Sequence, residues 1–398
     1  MAYHVLYFIF LTFLIIPASA INILDTLIES TLPEDGRLNF TELAKKYGFP
    51  AKEYEVITSD GYILKLFNIP GKNGLPVLLM HGLAASADCW IIRGERSLAV
   101  TLAKSGYDLW FGNIRGNKYS RKHVNLNPDT DEAFWDFSFH ENGYYDLPAI
   151  VERVLKESKT RKLNAIGYSQ GTTIFYVLCS TRPEYNSKIN FMMGLASVAF
   201  LNNIQPPLSR VISVSSVIYN MLKDWGFNEL FYDKSMFNNF LKVFCSVPSI
   251  GYRVCMEAVT FPIVGRDTEE VKSDFVPVIF GHYPTSTALK SLYHYAQISN
   301  RKTFSQFDYG LTGNLIKYNS LLPPVYNLNL VTTKIIIYAG LNDKLSTIAD
   351  VDVLISKLPN VVRYIVSPWE KCNHVDYVWG KNTNLYLFPY ILEVLRLY

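Results

Sequence analysis

The sequence predicts an α/β protein: a mostly parallel sheet flanked by helices and interrupted by a helical insertion. Three observations predict it. Short apolar runs alternate with helical patterns over the first half of the chain and again near its end. One such run, Leu163–Tyr168, passes through Gly167-Tyr168-Ser169-Gln170-Gly171 into a helical run, so a strand turns sharply into a helix. Between residues 200 and 326 the strand signals thin out, and aromatics and scattered helical patterns replace them.

The 398 residues are 49% hydrophobic and 14% aromatic, enough for one large core or two domains. Charged residues make up 18%, which excludes wholesale disorder. The net charge is +3 and no Lys/Arg cluster is dense, so nucleic acid is not an expected partner. Residues 5–16 are almost wholly apolar, and Ala18-Ser19-Ala20 offers a small-residue cleavage site. Residues 1–20 therefore read as a secretory signal peptide. The run falls short of the ~20 apolar residues of a membrane span. No later segment reaches that length, so no transmembrane segment is expected. Secretion fits Asn39-Phe40-Thr41, a glycosylation sequon at Asn39. It also permits disulfides, and among five cysteines only Cys245 and Cys255 lie close in sequence. Cys179, on the helix after Ser169, reads as an apolar core residue.

In chain order, residues 54–58 and 62–67 flank Ser59-Asp60-Gly61 and read as a hairpin with a glycine turn. Residues 76–80 form a buried strand that ends at His81-Gly82-Leu83. Residues 107–111 form another, ending at Gly112-Asn113. Over residues 146–156 the apolar positions 147, 150, 151, 154 and 155 share one helical face, with Pro148 in the first turn. The insertion opens near Pro206-Pro207 and closes near Pro323-Pro324. Within it Phe237, Phe240, Leu241 and Phe244 make a helical stripe, which fits packing inside the insertion or an acyl-contacting lid helix, two readings the sequence does not separate. The sheet resumes at 334–338 and 361–366, and 391–397 reads as a closing helix. The expected division is a signal peptide at 1–20, a core built from 21–199 and 327–398, and a helical cap at 200–326.

Gly-x-Ser-x-Gly between a strand and a helix is the nucleophile elbow of α/β-hydrolases. Glycine is needed at 167 and 171 because the turn has no room for side chains, and the same turn lifts the Ser169 hydroxyl above the sheet edge. The motif alone would arise by chance in about one such chain in ten, so the rest of the sequence must decide. In this fold the nucleophile is followed by Asp or Glu and then by His. Of seven histidines only His374 lies beyond the last two strands, which makes it the candidate general base. Asp343 lies in the loop after the penultimate strand and is the candidate orienting acid. Asp350 and Asp352 fall in the next helical run, and Asp376 is too near His374. The amide of Gln170, and that of Leu83 beside Gly82, are the candidate oxyanion donors. His81 precedes the nucleophile and reads as a hydrogen-bonding residue that shapes its loop.

Several longer stretches point the same way. They are His81-Gly82-Leu83, Gly112-Asn113-Ile114-Arg115-Gly116-Asn117, Phe134-Trp135-Asp136-Phe137-Ser138-Phe139 and Tyr145-Asp146-Leu147-Pro148. Pro323-Pro324-Val325-Tyr326 and Asn373-His374-Val375-Asp376-Tyr377 follow. From about residue 42 to its end the chain resembles the acid lipases, neutral-lipid hydrolases related to gastric and lysosomal acid lipase. The resemblance implies a secreted or lysosomal glycoprotein with an α/β-hydrolase core and a lid-bearing cap. It implies a Ser169-His374-Asp343 triad, with Leu83 and Gln170 amides forming the oxyanion hole. It implies triacylglycerol or sterol-ester substrates at a lipid–water interface, and no metal or cofactor. Arg115 is expected to bond backbone in a loop beside the site. Ala84 and Ala85 depart from the larger apolar residues common in the family, and a third cap cysteine found in vertebrate relatives is missing. Other readings are a non-catalytic lipid carrier on this scaffold, a short-chain or sterol esterase, or a peptidase or thioesterase on the same core.

Overall fold

The structure, a computed structural model, describes residues 31–247 and 249–398, so the expected signal peptide at 1–20 lies outside the described residues. Strands β1 (Lys52–Ile57) and β2 (Ile63–Ile69) form the hairpin, with Gly61 at φ +98° in its turn. β3 (Asn73–Met80), β4 (Tyr107–Gly112), β5 (Leu163–Tyr168) and β6 (Ile189–Leu195) follow. After the inserted β7 (Glu229–Leu230) and β8 (Thr287–Ala288) come β9 (Lys334–Ala339) and β10 (Val361–Val366). The main sheet runs β1-β2-β4-β3-β5-β6-β9-β10. The β1–β2 and β2–β4 pairs are antiparallel, and the other five are parallel.

Both faces of the sheet are covered, as parallel strands require. Side chains alternate between them: Val77, Leu79, Phe111, Ile166, Met193 and Ile336 enter one buried cluster. Leu78, Met80, Trp110, Ala165, Met192 and Ile337 enter the other. The α-helices of six or more residues begin with α1 (Phe40–Lys46), α2 (Leu98–Lys104), α3 (Leu147–Ser158) and α4 (Gln170–Thr181). Exposed Asn39 caps α1: its side chain accepts from the Glu42 amide at 3.1 Å, and the Glu42 carboxylate accepts from the Asn39 amide at 2.7 Å.

Between β6 and β9 lie α5 (Leu208–Ser213), α6 (Ser215–Asp224), α7 (Met236–Cys245), α8 (Val276–His282), α9 (Leu289–Arg301) and α10 (Gly310–Tyr318). α11 (Ile348–Ile355) and α12 (Phe388–Leu397) complete the chain. The short β7–β8 ladder is the only pairing within the insertion among the described strands, as the sparse strand signals predict. Cys245 and Cys255 form a disulfide, and Cys179 is buried in the core. The phenylalanine stripe divides. Leu241 and Phe244 pack on the core cluster, whereas Phe237 and Phe240 are 39% and 37% exposed.

Arg115 corrects the sequence reading. Its buried guanidinium bonds carboxylates, not backbone: Nε donates to Asp146 at 2.7 Å, and the two terminal nitrogens donate to Asp60 at 2.6 and 2.9 Å. Burial opposes ionisation of Asp60, but the bonds and charge of Arg115 outweigh it and hold that carboxyl below its usual range. The hairpin turn is thereby clamped to the start of α3.

Candidate active site

The carboxyl ends of three parallel strands meet at one point. β5 runs into Ser169, whose backbone sits at φ +52°, ψ −117°, a conformation that costs a non-glycine residue about 1–3 kcal/mol. Close packing sustains it. A Cβ on Gly171 would lie 2.1 Å from the Met80 carbonyl oxygen, and one on Gly167 would lie 2.8 Å from the Gly171 backbone. The Ser169 amide donates to the Leu195 carbonyl of β6 at 3.0 Å. The Thr172 hydroxyl donates to the Ser169 carbonyl at 2.7 Å. The elbow is therefore locked on both sides, and Ser169 remains partly exposed.

His374 follows β10. Its Nε2 lies 2.8 Å from Ser169 Oγ, and its Nδ1 lies 2.9 and 3.0 Å from the two Asp343 oxygens. Asp343 follows β9 and is 4% exposed. Its Oδ1 accepts from the amides of Leu345 (2.9 Å) and Ser346 (2.7 Å), so the carboxylate is oriented before it meets the imidazole. Nδ1–H then faces Asp343, and the bare Nε2 lone pair faces the Ser169 hydroxyl. That arrangement can take a proton from an attacking oxygen.

Gly82 passes directly over the elbow. A Cβ there would lie 3.1 Å from the Tyr168 ring and 3.3 Å from Ser169 Cβ, so the backbone leading to Leu83 comes close to the nucleophile. Gln170 is the first residue of α4, and its amide has no acceptor within the helix. His81 shapes this loop as its position before the nucleophile suggests. Nδ1 donates to the Gly82 carbonyl at 2.8 Å, and Nε2 accepts from the Ile114 amide and the Asn117 side chain. Complete burial pushes its pKa down to about 4. Among the described residues no three His, Cys, Asp or Glu side chains gather into a group able to hold a metal ion.

Two contributors were not read from the sequence. Strand β6 supplies the carbonyl that holds Ser169, and its continuous apolar run Phe191-Met192-Met193 after the elbow helix is the signal that could have revealed it. Val264, at the insertion's return toward the sheet, offers its carbonyl to the amides of His374 (3.1 Å) and Lys344 (3.4 Å). That one carbonyl ties the His374 loop to the Asp343 loop. Nothing local in sequence marks it, although Gly265 does have φ +107° and would clash with Asn342 if it carried a Cβ.

A mostly parallel sheet with a strained serine elbow after its fifth strand and a glycine-containing loop crossing above it is the architecture of an α/β-hydrolase. Comparison with known proteins agrees. Residues 40–94 match the partial α/β-hydrolase lipase region, and residues 76–244 match the α/β hydrolase fold. Lipase 1 of Drosophila melanogaster is 39% identical over 373 residues, 93% of this chain and 82% of that one. Gastric triacylglycerol lipase of Homo sapiens is 34% identical over 354 residues, 86% of this chain and 87% of that one. The solved structure of DcsB with a substrate analogue superposes with TM-score 0.52 at 13% identity, covering 87% of this chain and 99% of that one, a likeness of fold alone. The chain belongs to the α/β-hydrolase lipase family, and it is a lipase, a carboxylic ester hydrolase.

Proposed function

We propose that the protein hydrolyses neutral-lipid esters, triacylglycerols first among them, through Ser169, His374 and Asp343. The observation that carries this reading is the unbroken Asp343–His374–Ser169 contact chain, with 2.8 Å at its reactive end. Ser169 Oγ attacks the ester carbonyl carbon while His374 Nε2 takes its proton. The Leu83 and Gln170 amides receive the charge that develops on the carbonyl oxygen. His374 returns the proton to the departing alcohol and leaves an acyl-serine. Water, deprotonated by His374, repeats the attack and releases the fatty acid.

Residues 200–326 act as the cap in this reading, with α5 and α6 as its lid. Neither helix buries a residue, and Val211, Val217 and Trp225 in or next to them are 51%, 68% and 54% exposed. Such a surface suits a lipid–water interface. Secretion is part of the proposal, supported by the Cys245–Cys255 disulfide and the exposed Asn39 sequon. The relatives' printed names support triacylglycerol as substrate. The test is fatty-acid release from emulsified trioleoylglycerol by the wild type and by Ser169→Ala. Release that depends on Ser169 supports the reading. Lipid binding with no release by either protein would favour a carrier, and turnover of short esters alone would narrow the substrate to small acyl groups.

A further inference from the structure

Helix α10 is built inside out. The residue it buries is Asn314, whose side chain accepts from the Tyr309 amide at 2.9 Å and donates to Asp308 at 2.7 Å and to the Leu321 carbonyl at 3.1 Å. Tyr318 adds one bond, to the Phe307 carbonyl at 2.9 Å. The apolar side chains point the other way. Leu311, Leu315 and Ile316 are 66%, 51% and 82% exposed, and Leu321, Leu322 and Val325 just beyond are 57%, 58% and 63% exposed. A surface helix ordinarily buries its aliphatic stripe and shows its polar face. Here a polar anchor holds the helix down and the aliphatic residues stand in solvent, which is the mark of an interaction surface.

The chemistry of the face selects its occupant. From Tyr309 to Asn342 there is no Asp or Glu, the adjoining Asp308 is taken up by Asn314 and Arg301 and the nearby Glu141 by Ser138, and exposed Lys317 sits among the leucines. At Val325 the patch opens into a groove of about 520 Å³ lined by Lys302, Phe304, Tyr326 and Lys357, with no acidic side chain on its walls. Lys357 lies 5.9 Å from the centre of the Phe200 ring on the same wall. Protein–protein hot spots favour Trp, Tyr and Arg and are poor in Leu. An aliphatic face rimmed by ammonium groups instead fits an apolar surface that carries anionic headgroups.

We propose that this face is a second lipid anchor, distinct from α5 and α6. Leu311, Leu315, Ile316, Leu321 and Leu322 enter the surface of a neutral-lipid particle. Lys302 and Lys357 receive the carboxylates of fatty acids that collect there as ester hydrolysis proceeds. The inference rests on the lipid-substrate reading above for the identity of the surface, and its test is separate from turnover.

The test measures adsorption of the full chain, in the inactive Ser169→Ala form, to trioleoylglycerol droplets with and without added oleate. The triple variant Leu315→Ser/Ile316→Ser/Leu322→Ser alters only exposed side chains and should keep its fold. Its partition onto droplets should fall about tenfold or more. With Ser169 restored, the same triple variant should hydrolyse a soluble butyrate ester as fast as wild type. Lys302→Ala/Lys357→Ala should remove the extra adsorption conferred by oleate and leave binding to oleate-free droplets intact. Undiminished droplet adsorption by the triple variant overturns the proposal. So does a dimer that the triple variant dissociates while droplet binding persists, because the face would then join two copies of the chain. Failure of wild-type ester turnover would count against the proposed function and leave the adsorption result standing.

Discussion

At the scale of residues, Asp343 makes two sets of contacts that one substitution separates. Its Oδ1 accepts the Leu345 and Ser346 amides, and both oxygens face His374 Nδ1. In Asp343→Asn the amide oxygen can still cap the loop, but the new NH₂ donates toward Nδ1 and drives the proton to Nε2. The turnover number on a soluble ester should then drop about 10³- to 10⁴-fold, with the melting temperature nearly unchanged. An active Asp343→Asn enzyme would show that the carboxylate does not orient the base. Buried histidines set a second expectation. Burial pushes His81 down to about 4 and His294 to about 3, and it lowers His140 as well. Between about pH 4 and 6.5 the unfolded chain protonates His81 and His294 and the folded one does not, so each of these two lowers stability as pH falls, by about 1.4 kcal/mol per pH unit. Asp376 has the opposite sign. Burial, then the neighbouring Asp267, Glu270 and Asp343, raise it well above the normal range, so the fold keeps a proton that the unfolded chain loses. Burial raises Asp146 as well, so two carboxyls work against the histidines and the share of one histidine has to be isolated by substitution. From pH 6.5 to pH 4.5 the urea midpoint of His294→Gln should fall less steeply, or rise more, than that of the wild type, and parallel curves would contradict a neutral buried His294.

At the scale of elements, the elbow depends on α4 lying hard against β3. A Cβ on helical Gly171 meets the Met80 carbonyl at 2.1 Å, whereas Gly48, at φ +84°, has nothing within 4 Å. Gly171→Ala should cost about 2–3 kcal/mol through overpacking and displace Ser169. Gly48→Ala should cost only the backbone strain, about 1 kcal/mol. Thermal melts of the pair check this, and equal losses would mean that the packing of α4 on β3 relaxes around the added methyl. The same contrast explains what could be read in advance. The β1–β2 hairpin, β5 and its elbow carry local signatures, a Gly61 turn and a Gly-x-Ser-x-Gly, so sequence alone located them. Asp343 and His374 were legible because chain order in this fold leaves few candidates. β6 was missed because its Met-Met run has neither strict alternation nor the β-branched content that marks strands. The partners of Arg115 and the bridging carbonyl of Val264 lie dozens of residues away in sequence, so no local pattern could disclose them.

At the scale of the molecule, the insertion is fastened unevenly. Its later part is stitched to the sheet's carboxyl edge. Thr285 donates its amide to the Ala84 carbonyl at 2.9 Å, and Tyr295 donates to the Thr173 hydroxyl at 3.1 Å. Asp88, 1% exposed, gathers His282 at 2.8 Å and Tyr119 at 2.8 Å, and it pairs with Lys118. The other nitrogen of His282 meets the Asp35 carbonyl at 2.6 Å. Helices α5 and α6 are held more loosely: they bury nothing and rest on α9 through the Asn300 bond to the Ile212 carbonyl at 3.0 Å and the stacked Tyr219 and Tyr293 rings, while Asn203 to Asp350 and Glu229 to Arg121 tie the chain before and after them. Local opening follows the scarcity of buried contacts. Amide hydrogen exchange should accordingly be fast over residues 208–224 and slow over 276–301. Asp88→Ala strips half-buried Lys118 and buried His282 of their carboxylate partner and should cost about 2–3 kcal/mol. The loss should appear first as faster exchange in 276–282, with β5 and β6 still protected, because the clasp joins the insertion to the core and does not hold the sheet together. Uniform acceleration across the sheet in that variant would mean that the insertion and core unfold as one unit, and the division of labour drawn from the contacts would fall with it.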